Sequence, residues 1–336
     1  MVIVSPSPAQ SLAADLRTHL DLLFGEHVMI VAKESVAAVN HADDYDEYAS
    51  LLATTASDLG GEFAGAFGNT TSSELIKRWN TQDGYLVDYG IGVVTHDDAK
   101  AQAAMLTLSH EFVPQFAQAL GSASGADVSS LAAMLLQQEV ADKAFIDDYF
   151  AQRYASFYPD LQAAFAQTEA LGDALATTIA QRYPDKFPGQ PSHEDVNRRV
   201  TLNLLLEDHA YVSTMATDAV VAGRAAEVSA AATMLSGITT ALAPFFASGF
   251  AAIWAARSNG LLAYAGGDPS ATAPLTADFV KNFATLARVD RSPVSRQLMD
   301  TLKVIDDQRA KDSKHVAGDD RSAATAMQPI ADAAAG

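Results

Sequence analysis

The chain has no cysteine, which excludes disulfides, thiolate metal sites and cysteine nucleophiles and leaves the redox compartment open. It is also short of positive charge: 22 Lys and Arg stand against 41 Asp and Glu, for a net charge of −19. A phosphate backbone or an anionic membrane surface is bound through a basic face. None is visible, so nucleic acid is not an expected partner. No run of about 18 apolar residues is read in the sequence, so no transmembrane segment is expected. Strand signals are scarce. Asp83-Gly84 superficially suits a hairpin, but Trp79, Gln82, Tyr85, Val87 and Tyr89 around it fit a helix better. Catalytic signatures are missing too. His110-Glu111 lacks the second histidine of a zinc-protease helix, residues 121–125 (GSASG) carry alanine where a nucleophile elbow needs serine, and no glycine-rich loop precedes a lysine.

What is present is apolar and repetitive. Hydrophobic residues make up 49% of 336, at a mean hydropathy of +0.05, enough for two cores of ordinary size. The chain is written twice. Leu20–His27 (LDLLFGEH) reappears as Leu202–His209 (LNLLLEDH), Trp79–Tyr89 as Trp254–Tyr264, and Glu111–Leu120 as Asp278–Ala287. The spacing falls in steps, from 182 between His27 and His209 to 175 between Trp79 and Trp254 and 167 between Phe112 and Phe279. Loop trimming around equivalent helices produces such ordered shrinkage.

Apolar spacing is helical almost throughout. Leu16, Leu20, Leu23, Phe24, His27, Ile30, Val31 and Glu34 form one stripe of a long first helix. Asp43 and Asp44 open a second that stops at Gly68-Asn69, and a third covers 72–94. A fourth, capped by residues 95–98, ends near Leu120; a fifth opens at Asp127, and Pro159 opens a sixth that reaches Tyr183. The second copy repeats the plan. Residues 183–192 (YPDKFPGQPS) cannot continue a helix and read as the joint. Residues 311–336 read as a short final helix or a frayed tail. The expected fold is therefore all-α: two tandem, homologous helical-bundle domains of about six helices each, with ferritin-like, four-helix-bundle-type packing. Their bounds are 11–187 and a shorter 194–336, with 188–193 as linker and 1–10 as a flexible Ser/Pro leader. Such leaders often follow a removed export signal, which points to a secreted or cell-envelope setting and leaves a cytoplasmic one open.

The sharpest chemical candidates are the paired Glu26-His27 and Asp208-His209, each histidine inside the apolar stripe of its helix. A neutral imidazole there is either a hydrogen-bonded core residue or a ligand to a metal or small molecule. Glu34 follows two turns on, roughly 10 Å along the axis, too far to share one ion with His27. Asp58 and Asp88 are carboxylates near apolar faces that need partners if buried; Asp88 is replaced by Ala263 in the second copy. Trp79 with Tyr89, and Trp254 with Tyr264, read as core packing or as aromatic walls of a pocket.

At these residues the chain resembles an uncharacterised family of exported bacterial all-helical proteins with one or two copies of a helix-bundle domain. The likeness rests on LLFGEH (22–27), VDYG (87–90), PDKF (184–187) and VTLNLLLEDH (200–209). It implies the fold rather than an activity. In the relatives, histidines also tend to appear in the third and fifth helices, making a three-histidine cluster with that of the first. Here Gln82 and Gln138 stand in those places, with Arg257 in the second copy, so a metal site of that kind is expected to be lost. The resulting expectation is a non-enzymatic extracytoplasmic bundle binding a small ligand or a protein partner, with no cofactor. The alternative is a ferritin- or haemerythrin-like protein holding a divalent metal with His27, His209 and helix carboxylates.

Overall fold

A computed structural model describes residues 7–335, and within them every regular element is helical, with no strand. The chain divides into two compact units. One runs to Ala42 and resumes over Ala49–Val200; the other takes Asp43–Tyr48 and resumes at Thr201.

The first unit is built on α1 (Leu12–Val39), α2 (Tyr45–Phe67), α3 (Asn69–Val94), α4 (Asp98–Thr107), α5 (Val113–Ser124), α6 (Val128–Phe150) and α7 (Tyr154–Arg182). Ser11 caps α1 by accepting from the Ala14 amide at 3.2 Å, and Asp97 and Asp127 cap α4 and α6 in the same way. α1 packs on α7, α6 and α3 and is buried on nearly every side, Ala13, Thr18, Val28 and Ala32 included. The single stripe read from the sequence is thus too narrow, because neighbouring helices enclose α1. Gly25 lets α7 approach closely: a Cβ there would lie 2.6 Å from the Phe165 ring.

Three boundaries differ from the sequence reading. Gly68, at φ +87°, separates α2 from α3, so Asn69 starts a helix instead of ending one. The fourth expected helix is interrupted by a π-helical stretch, Leu108–Phe112, between α4 and α5. Pro159 lies inside α7, which begins at Tyr154; it is past the free amides of the first turn, so the helix continues through it without the bond that an amide at 159 would give to the Ala155 carbonyl.

The second unit is built on α8 (Glu194–Val221), α9 (Ala225–Leu242), α10 (Phe250–Ala265), α11 (Val280–Ala287), α12 (Arg291–Ala310), α13 (Ser313–Thr325) and α14 (Gln328–Ala335). α10 packs on α9, α11 and α12, and α12 on α13. The expected joint at 188–193 is non-helical as read. It nevertheless belongs to the first unit, tied by Ala13 N–H donating to the Pro188 carbonyl and Arg17 to that of Pro191, at 3.3 and 2.8 Å. The division itself falls inside α2 and α8.

At the ends, residues 1–6 of the expected leader lie outside the described residues, while Pro8–Gln10 form a 3-10 turn whose Ala9 is buried. The tail forms α13 and α14, which bury Val316, Ala323 and Ile330. The expectation about apolar runs needs correction as well. Ala225–Phe245 is long and apolar enough to cross a membrane by length and composition, with mean hydropathy 1.4, and only 33% of that window is buried. Its many alanines raise the mean hydropathy without forming a run of large side chains.

Candidate functional site

In the first unit His27 comes from the middle of α1 and meets the indole of Trp79 on α3 edge-on, with ring centroids 4.8 Å apart. Trp79 is walled by Phe24 and Phe116 at 5.6 and 5.5 Å. The π-helical stretch explains how Phe116 gets there: a π turn adds a residue to the helical spacing and re-aims the side chains of the next turn. Phe112 and Phe116 then stack on each other at 5.4 Å.

One carboxylate lies beside the imidazole, and two more are buried near that carboxylate on another helix. Asp83 on α3 places Oδ1 3.7 Å from His27 Nε2. Glu139 and Asp142, one turn apart on α6, are fully buried. Neither His27 nitrogen, neither Glu139 oxygen, nor Asp83 Oδ1 or Asp142 Oδ2 has a hydrogen-bond partner. Gln138 Nε2 donates to the other Asp142 oxygen at 2.7 Å, and the Gln82 carbonyl is buried without a donor. Burial pushes His27 down to about 4 and keeps it neutral; burial lifts Asp83 to about 7. Glu139 is raised by burial and then by repulsion from Asp142 and Asp83. Asp142 is raised by burial against the opposing Gln138 hydrogen bond. Buried carboxylates without partners are costly; Asp83 lies beside the imidazole, Glu139 is close enough to Asp83 and Asp142 to be repelled by both, and the three acids have no cation among them.

The second unit repeats the frame with different contents. His209 on α8 meets Trp254 on α10 at 5.1 Å. A π-helical stretch, Pro274–Phe279, precedes α11, and Phe279 stacks on Phe283 at 5.5 Å. Here the fully buried guanidinium of Arg257 fills the space. It lies 3.3 Å from His209 Nδ1, donates to Gln297 Oε1 at 3.1 Å, and covers the Trp254 ring at 5.2 Å. His209 also has the Ser213 and Ser258 hydroxyls at 3.2 and 3.3 Å. Its pKa lies well below the usual value, through burial and then Arg257, and burial brings Arg257 down to about 9.

No protein-family profile matches this chain, and no curated protein or solved structure does so either. The site therefore has to be read from its own residues.

The sequence candidates fall into place unevenly. His27, Glu26 and Glu34 are buried on α1, and His209 and Asp208 on α8; burial raises Asp208 to about 8. Asp58 is exposed and takes no part in a buried centre, because α2 turns it outward. Asp88 is half exposed and pairs with Lys100 at 2.8 Å, so it too lies apart from His27. Trp79 and Trp254 do wall the two histidines, but Tyr89 and Tyr264 turn away from them. Tyr89 donates to Asp147, and Tyr264 to Asp306 at 2.9 Å. The residues missed were Asp83, Glu139 and Asp142. A signal for the last two existed: Leu135, Gln138, Glu139, Asp142, Phe145 and Ile146 share one stripe of α6. Gln82 and Gln138 are each followed directly by one of these acids, Asp83 and Glu139.

Proposed function

We propose that the chain is a non-enzymatic binding protein made of two copies of one helical unit. The first unit takes a small cation at the His27 centre, and the second holds the same frame closed with its own arginine. The carrying observation is the exchange of charge between matched positions. The spacing of 175 that pairs the tryptophans also pairs Gln82 with Arg257 and Asp83 with Ser258. A spacing of 159 pairs Gln138 with Gln297, Glu139 with Leu298 and Asp142 with Thr301. It equally pairs Asp147 with Asp306, the two tyrosine partners. Where the second unit has a buried cation and no acid at these places, the first has three acids and no cation.

Duplication is further supported by the recurring π-helical stretch, a rare element, and by the like hydrogen bonds of Gln138 to Asp142 and Gln297 to Thr301. Each copy is read as a four-helix core of the ferritin-like type. In the first, α1 packs on α7, α7 on α6, α6 on α3 and α3 on α1, and the centre lies among α1, α3 and α6. A largely buried centre walled by core aromatics suits retention of a ligand better than turnover.

The test is a thermal-shift panel of inorganic cations and small organic ammonium ions on chelator-treated protein. Cations are expected to raise the melting temperature of the wild type. The exchange Gln82→Arg, Asp83→Ser, Glu139→Leu and Asp142→Thr, which rebuilds the second unit's centre in the first, should raise it without any cation and abolish the response. A wild type unmoved by every cation would overturn this reading.

A further inference from the structure

The His27 centre offers one imidazole and three carboxylates from three helices, enough to say which cation it selects. We propose that the first unit binds one divalent transition-metal ion through His27, Asp83, Glu139 and Asp142; this rests on the cation-binding reading above and names the cation's class.

The His27–Asp83 separation is the first support. At 3.7 Å from Nε2 to Oδ1 it is too long for a hydrogen bond. Two donors each about 2.1 Å from a shared ion, at an angle near 120°, stand about 3.6 Å apart. The second support is that these donors are not otherwise engaged. Both nitrogens of His27 and both oxygens of Glu139 are buried with no hydrogen-bond partner, as are single oxygens of Asp83 and Asp142. The third is Gln138, which holds one Asp142 oxygen at 2.7 Å and leaves the other free, as outer hydrogen bonds orient metal-ligating carboxylates. Glu139 and Asp142 are three residues apart on α6, the spacing by which bundle helices present paired ligands. Among the described residues no three histidine, aspartate or glutamate side chains already stand within reach of one ion. Uptake therefore has to draw the two α6 carboxylates toward the His27–Asp83 pair.

One nitrogen and several oxygens, with no sulfur, suit Mn(II), Fe(II), Co(II) or Zn(II). Magnesium and calcium gain little from an imidazole, and copper(I) finds no soft donor. The second unit, with Ser258, Leu298 and Thr301 at the matching places and Arg257 in the space, should bind none.

The experiment uses the full chain stripped with a chelator and then titrated with zinc chloride or cobalt chloride. Calorimetry and bound-metal analysis give affinity and stoichiometry, and visible absorption reports an imidazole–carboxylate cobalt shell. The wild type should take up a single ion per chain. Asp83→Asn, and separately Glu139→Gln, should weaken binding by at least about 100-fold. Both variants keep side-chain volume and lose a buried charge, so they should fold without metal. Ser258→Ala in the second unit should change nothing. Failure of the wild type to bind either ion, or retention of full affinity by Glu139→Gln, overturns the assignment. If potassium or an organic ammonium ion stabilises the wild type while zinc and cobalt do not bind, the transition-metal assignment falls and the cation reading stands. If no cation has any effect, both fall.

Discussion

The two buried histidines have nearly the same aromatic setting and opposite electrostatics. His27 and His209 each meet a tryptophan edge-on, at 4.8 and 5.1 Å, behind a stacked pair of phenylalanines. In the His27 centre six imidazole and carboxylate atoms of His27, Asp83, Glu139 and Asp142 lack a hydrogen-bond partner; around His209 a guanidinium, two hydroxyls and an amide engage one another or the ring. An apolar frame can thus stay fixed while the charge it encloses is inverted, because packing depends on side-chain volume and the buried charge depends on a handful of positions.

The largest effects should come from the shared frame. Trp79→Ala and Trp254→Ala each remove a core indole and should cost about 3–5 kcal/mol, measured by denaturant unfolding. Trp79→Phe and Trp254→Phe each leave one tryptophan as a fluorescent reporter of one unit. If either alanine variant proves neutral, the common frame is not what holds its unit together.

Smaller and opposite in sign is Glu139→Leu, which installs the residue of the second unit. Removing a buried carboxylate that has no partner should stabilise the metal-free first unit by about 1–3 kcal/mol. A loss of stability in chelator would show that Glu139 is satisfied in the fold and would erase the contrast between the centres.

A pH series sharpens the second unit. Asp208 keeps its proton in the fold up to about pH 8, whereas the unfolded chain releases it in the ordinary carboxylate range. The folded state binds the extra proton between those limits. Its contribution is full at low pH, is lost as pH rises through that window at up to about 1.4 kcal/mol per unit, and does not change further above pH 8. Asp208→Asn should flatten this slope, as read by the melting temperature at several pH values. An unchanged slope would mean that Asp208 is ionised in the fold.

The smallest effects concern the tyrosine pair. Tyr89→Phe should cost about 1 kcal/mol, since its hydroxyl donates to Asp147 from a buried ring. Tyr264→Phe should cost less, since its bond to Asp306 is exposed. A larger cost at Tyr264 would break the correspondence assigned to the two bonds.

Much of this was legible in the chain itself. Periodicity and alanine content dictate helices, and proline and glycine at 183–192 and 68 dictate breaks, because these are local constraints on the backbone. Both histidines and both tryptophans could be singled out because they lie on apolar stripes at matched spacings. Tyr89 packs in the core, whereas Asp58, Asp88 and Tyr264 lie toward solvent for one reason. Period alone gives the face of a helix only to within a residue or so, and a single turn decides between core and solvent. Which helices pack on one another is not written in any one of them. Only the tertiary structure could bring Asp83 on α3 to the His27 ring of α1, set the Glu139–Asp142 pair of α6 near Asp83, or place Arg257 against His209. A buried charge has meaning only through what surrounds it, and those surroundings come from segments far apart in sequence.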